Sequence, residues 1–193
     1  DLDNNVRGAL LWLLVCQVLD GLDGPIARKI DLVFNAPRVD GYVLDLIVDY
    51  LTCVVVPVAL MIRLNMLPSE FQTLIAAAVL LLSALWFART DQETEDHWFN
   101  GFPAVWNLVI PTLLIIGADK DEVLVVTLVL SALQLTNFKI PHLARVAKLR
   151  NLTLPLTALY LIDLTFLSWN FSDLGGQKIN TAQEVFLIAF PIY

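Results

Sequence analysis

Four aspartates set among small and apolar residues are the part of this sequence best equipped for chemistry. The stretch reads Asp20-Gly21-Leu22-Asp23-Gly24-Pro25-Ile26-Ala27-Arg28, then twelve residues, then Gly41-x3-Asp45-x3-Asp49. On a helix, residues three or four apart share a face, so Asp20 pairs with Asp23 and Asp45 with Asp49. Gly24 and Ala27 continue the first face, and Gly41 lies one turn before the second pair. Two such helices facing each other would converge four carboxylates beside surfaces with almost no side-chain bulk. Carboxylates at short range repel, and hard divalent cations are the usual means of holding them together. The small residues leave room for a ligand to approach the backbone.

The elements that must position these acids are membrane helices. Hydrophobic residues make up 58% of the 193 positions and charged ones only 16%, and mean hydropathy is +0.70. Soluble domains use roughly 45–50% apolar residues, so the chain reads as an all-α, polytopic membrane bundle forming one catalytic domain over 1–193. Expected spans cover 6–30, 39–64, 69–88, a short one ending near 117, 122–137, 152–169, and a seventh starting near 181, lengths that suit a bilayer core. Pro57 is a candidate kink within the second, and Ser69 a candidate N-cap of the third. An acidic loop at 89–100 leads into Trp98, Phe99, Phe102 and Trp106 around Pro103. The segment 139–150 interleaves basic and apolar residues and reads as an interfacial amphipathic stretch. Asp163, inside the sixth span, is expected to face the interior and pair with a polar neighbour.

Charge sets orientation and excludes partners. With the connection after the first span in the cytosol, that side collects Arg28, Lys29, Arg38, Arg89, Lys139, Arg145, Lys148 and Arg150. The other side keeps Arg7, Arg63, Lys120 and Lys178. Eight against four agrees with the positive-inside bias, so the acids open toward the cytosol. A net charge of −7 argues against nucleic acid. Cys16 and Cys53 lie in apolar runs without a CxxC partner and read as small hydrophobes, and His97 and His142 show no metal spacing.

The motif resembles the signature of the CDP-alcohol phosphatidyltransferases, D-x2-D-G-x2-A-R-x8-G-x3-D-x3-D, with every fixed residue present. The spacer between Arg28 and Gly41 is twelve residues where the signature has eight, which looks like the bacterial branch that uses free choline. In that family a transmembrane helix precedes the motif, so a further N-terminal helix is expected before Asp1. The resemblance implies transfer of a phosphatidyl group from CDP-diacylglycerol to choline with release of CMP, in a homodimer at the bacterial inner membrane. It implies Asp20, Asp23 and Asp45 as ligands of paired Mg²⁺ or Mn²⁺ ions. Asp49 becomes the general base and a further ligand, and Gly24, Ala27, Arg28 and Gly41 become contacts for nucleotide or phosphate. Lys139 and Arg145, at the membrane end of the basic segment, read as contacts for substrate phosphate or anionic lipid, with a solvated positive-inside flank as the other account of that segment.

Choline is a fixed cation without donors on nitrogen, so aromatic faces aided by a carboxylate are its natural partners. Trp106, Asn107, Trp98, Phe102, Tyr42 and Tyr50 are candidates. The string Gly101-Phe102-Pro103-Ala104-Val105-Trp106-Asn107, similar to one in the choline branch, favours Trp106 and Asn107. An interfacial aromatic belt is the competing account of the rings. Serine or a polyol phosphate are alternative acceptors. A phosphorylated one would want more basic residues than Arg28, Lys29 and Arg38 near the motif. A cation transporter would need a polar path to both sides, and the other spans show few polar residues beyond Asp163.

Overall fold

The computed structural model describes residues 2–30, 38–142, 146, 149–171, 179 and 181–189, with side chains described for all of these except 2–4, 23–25 and 27–30. Seven helices are present among them: α1 (Leu2–Ile30), α2 (Gly41–Arg63), α3 (Gln72–Phe87), α4 (Trp106–Ile115), α5 (Lys120–Gln134), α6 (Arg150–Trp169) and α7 (Thr181–Ala189). Three are long and apolar enough to cross a bilayer: Asn5–Leu22 within α1, α2, and α6. At 1.5 Å per residue, the 29-residue α1 is roughly 44 Å long. It therefore outruns a hydrocarbon core of about 30 Å. Its apolar window ends at Leu22, two residues after Asp20.

Asp40 starts α2 by accepting from the backbone N–H groups of Tyr42 and Val43 at 3.0 and 3.2 Å. Immediately after Asp49 the helix widens into a π turn, Tyr50–Val55, and the Val56 N–H reaches back to the Leu51 carbonyl. Pro57 is the local cause: it donates no hydrogen bond, and its ring crowds the carbonyl four residues back. A π turn accommodates that conflict without breaking the helix. Ser69 does not cap α3; the helix begins after Phe71, with no side-chain cap. At α5, Asp119 and Glu122 form a reciprocal capping box, so that helix starts two residues earlier than the apolar pattern suggests.

Two packed clusters share α4. Trp106, Val109, Ile110 and Leu113 join the core built from α2, α3 and α5. Leu108 and Ile115 join the one built from α1, α6 and α7. Every α4 residue except Leu114 is buried, as expected of a helix apolar on all sides. The outer faces of the longer helices are apolar and exposed, including Trp12, Leu74, Leu81, Ile162 and Phe166, which suits contact with lipid.

The expectation of a purely helical chain needs one correction. Trp98–Asn100 (β1) pairs antiparallel with Lys139–Pro141 (β2), with Phe99 opposite Ile140, so the segment 139–150 opens as a strand. Its Ile140 and Pro141 are buried, and burying them satisfies the apolar residues that suggested an amphipathic surface stretch. Gly101 follows β1 at φ +81°, where a Cβ would sit 2.7 Å from the Leu133 carbonyl oxygen and 2.9 Å from that of Gln134. Only glycine fits there.

Candidate metal centre

Asp20 on α1 and Asp45 and Asp49 on α2 offer carboxylate oxygens that all lie within 4.8 Å of one another, and all three residues are half-buried. The helical spacing accounts for this: Asp45 and Asp49 occupy one face of α2, and α1 presents Asp20 to it. Two oxygens bound to one divalent ion sit at most about 4–5 Å apart, twice a hard cation's bond length of roughly 2.0–2.6 Å. The oxygen-only donor set suits Mg²⁺ or Mn²⁺ rather than zinc or copper. The residues present therefore fit a hard divalent cation.

The surroundings leave space beside the acids. A Cβ added to Gly21 or Gly41 would meet nothing within 4 Å, so internal packing does not explain these glycines. Gln17, one turn before Asp20, donates its Nε2 hydrogen to Asp20 Oδ2 at 3.5 Å. Asn107 Nδ2 in turn donates to Gln17 Oε1 at 2.6 Å. Sequence reasoning missed Gln17, although its place on the face of Asp20 in an apolar run was a visible signal.

The remaining expected site residues lie on several elements. Asp23, Gly24, Ala27 and Arg28 lie on α1, but their side chains, and the whole of Arg145, are outside the described residues. Lys139 is exposed on β2 and contributes to holding the Asp96 carboxyl below its ordinary range, after the hydrogen bond from Thr94. Trp98 is half-buried in β1. Tyr42 is 64% exposed and shares the face of Asp45 and Asp49. Tyr50 donates its hydroxyl to the Leu80 carbonyl at 2.9 Å and packs edge-on against Phe87.

Trp106 and Phe102 are fully buried, packed edge to face at 5.3 Å, and the Trp106 Nε1–H donates to Ser83 Oγ at 3.0 Å. These two choline candidates are therefore core residues and not rings open to a ligand. The helix starts at Trp106, because Ala104 holds a positive φ of 57°, and cannot run back through Pro103. Asp163 is half-buried and accepts from Gln183 Nε2 on α7 at 2.5 Å.

Comparison with known proteins adds to this geometry. The family model for CDP-alcohol phosphatidyltransferase matches residues 2–136. The chain belongs to that family. Among relatives of this CDP-alcohol phosphatidyltransferase family member, the phosphatidylcholine synthase of Pseudomonas aeruginosa is 37% identical over 161 residues, covering 83% of this chain and 68% of the relative. That of Borreliella burgdorferi is 31% identical over 188 residues, covering 97% and 80%. That of Rhizobium johnstonii is 34% identical over 143 residues, covering 74% and 59%. The chain thus spans between about three fifths and four fifths of these relatives. No solved structure gives a significant match to the chain.

Proposed function

We propose that this chain transfers the phosphatidyl group of CDP-diacylglycerol to choline, releasing CMP, at the Asp20–Asp45–Asp49 cluster. The convergence of these three signature acids from two helices carries the reading, and the phosphatidylcholine synthase relatives support choline as acceptor. Asp20, Asp45 and Asp49, with Asp23 as the fourth signature acid, would hold one or two Mg²⁺ or Mn²⁺ ions. Such ions neutralise charge on a pyrophosphate and on a departing phosphate.

The chain's own residues do the rest. Asp49 accepts the proton of the choline hydroxyl as its oxygen attacks the phosphorus bearing diacylglycerol. A new O–P bond forms, the bridging P–O bond breaks, and CMP carries away the electron pair. Gly41, Gly24 and Ala27 give the nucleotide room beside the acids, and Arg28, Lys139 and Arg145 contribute positive charge toward phosphate. Among the aromatic candidates, Tyr42 is best placed for the trimethylammonium group. Its ring is exposed on the face of Asp45 and Asp49, whereas Trp106, Phe102 and Tyr50 are engaged in packing.

α1, α2 and α6 cross the bilayer and the shorter α3, α4, α5 and α7 pack among them, with the acids at the cytosolic end of α1 and α2, in agreement with the bias of Lys and Arg to that side. The protein resides in the bacterial inner membrane and assembles as a homodimer. Purified protein in lipid nanodiscs should release CMP only with CDP-diacylglycerol and a divalent metal, and should do so faster with choline than with serine. Equal or faster release with serine would overturn the choline assignment, and crosslinking in the same nanodiscs reads the assembly.

A further inference from the structure

The hydrogen bonds beside the acid cluster point to a residue that no signature position accounts for. Gln17 bridges Asp20 on its own helix and Asn107 at the start of α4, with contacts of 3.5 and 2.6 Å. A carboxylate can only accept, so Gln17 must present its amide N–H to Asp20 and its oxygen elsewhere. That oxygen then needs a donor, which Asn107 Nδ2 supplies. The polarity imposed by Asp20 thus fixes both amides in turn. Asn107 is 1% exposed; with its Nδ2 turned to Gln17, its Oδ1 faces away and has no hydrogen-bond partner among the described residues. The Asn107 amide is committed to donation, and its carbonyl is left over.

We propose that Gln17 is a positioning residue for the metal centre: held by Asn107, it sets the orientation of the Asp20 carboxylate toward a bound divalent cation. This rests on the reading of Asp20 as a metal ligand. Partners that orient a ligand in this way typically change metal affinity by roughly 10–100-fold when removed. The 3.5 Å contact to Asp20 puts the expectation at the lower end of that range.

The test is titration of Mn²⁺ alone into the full chain in detergent, read by electron paramagnetic resonance of free Mn²⁺. It uses Gln17→Met, Asn107→Leu, Gln17→Met/Asn107→Leu and, as a control, Asp20→Asn. Gln17→Met should weaken Mn²⁺ binding about tenfold. A purely structural link between α1 and α4 would lower Tm in Gln17→Met while leaving its Mn²⁺ affinity that of the parent. Asn107→Leu removes the buried unpaired carbonyl together with the donor, so it should fold well and still bind Mn²⁺ more weakly. The double variant should be no worse than Gln17→Met, because the two residues act in series. Parental affinity in Gln17→Met, or additive losses in the double variant, would overturn the proposal. If Asp20→Asn itself binds Mn²⁺ like the parent, the metal reading fails rather than the relay alone.

Discussion

Replacing Asp20 by Asn separates a cation site from an incidental group of acids, because the two accounts differ in sign. Three carboxylates with oxygens within 4.8 Å repel when no cation is bound. A pair at that distance costs about 1 kcal/mol in water and about 3–4 kcal/mol at an effective dielectric of ~20. The residues are half-buried and solvent screens them, so about 1 kcal/mol per pair is the appropriate figure. Asp20→Asn relieves two pairs and keeps an oxygen to accept from Gln17, so the metal-free protein should gain about 2 kcal/mol. For a chain of this size that raises Tm by roughly 4–8 °C. Metal binding should move the other way, since one of three charged ligands is gone, with affinity falling at least about 100-fold, or about 2.8 kcal/mol. Thermal unfolding in detergent, followed by tryptophan fluorescence in EDTA and again in excess Mg²⁺, reads both effects. The variant should melt higher than the parent in EDTA and gain little from Mg²⁺. A lower Tm in EDTA together with an undiminished rise on adding Mg²⁺ would refute the reasoning.

Other perturbations test the surroundings. Gly41→Ala should leave Tm unchanged, since a Cβ there meets nothing within 4 Å, yet raise the KM for CDP-diacylglycerol. Parental kinetics would show that no ligand uses that space. Tyr42→Ala should raise the choline KM roughly 5–30-fold, the loss of about 1–2 kcal/mol of cation–π contact. The KM for CDP-diacylglycerol should hold, and Tyr42→Phe should behave like the parent. Gly101→Ala should cost about 2 kcal/mol or more, from a positive φ and contact with two carbonyl oxygens, read as lost folded yield and lowered Tm. Arg89 binds Asp91 and donates to the Gln134 and Thr136 carbonyls at 3.2 and 3.0 Å. Arg89→Met should therefore cost about 1–3 kcal/mol by stripping the end of α5 of donors. The same guanidinium holds the Asp91 carboxyl below its usual range. The contribution of that pair is present above the unfolded carboxylate pKa of about 3.9 and fades as pH falls through the lower folded value. Melting curves between pH 5 and 3 should fall less steeply in Asp91→Asn than in the parent.

What was legible in the sequence depended on how local its cause was. The acids could be grouped because helical spacing alone decides that Asp45 and Asp49 share a face, and apolar runs with flanking charges revealed α1, α2 and α6. The sheet was not legible: β1 and β2 are three residues each, too short for alternation, and their pairing joins residues some forty positions apart. Trp106 was misplaced for the same reason. It stood as a choline contact, whereas its indole N–H is held by Ser83 on another helix. Gln17 stood within a turn of Asp20, but the partner that gives it meaning, Asn107, lies ninety positions away.

These long-range contacts share a logic that follows from the solvent. Lipid tails are as apolar as leucine, so helices in a bilayer are held together by close packing and interhelical hydrogen bonds. The short, buried α4 supplies one polar link to each of three neighbours. Trp106 donates to Ser83 on α3, Asn107 to Gln17 on α1, and Thr112 shares a 2.8 Å hydrogen bond with Tyr160 on α6. Toward α2 it packs Val109, Ile110 and Leu113 into the cluster containing Val54, Val58 and Met61. The acid-bearing helices are thus registered against one element, α1 by the Asn107–Gln17 hydrogen bond and α2 by apolar packing within and beyond its π turn. Convergence of Asp20 with Asp45 and Asp49 is therefore as much a property of the helix between the two cores as of the motif that carries the acids.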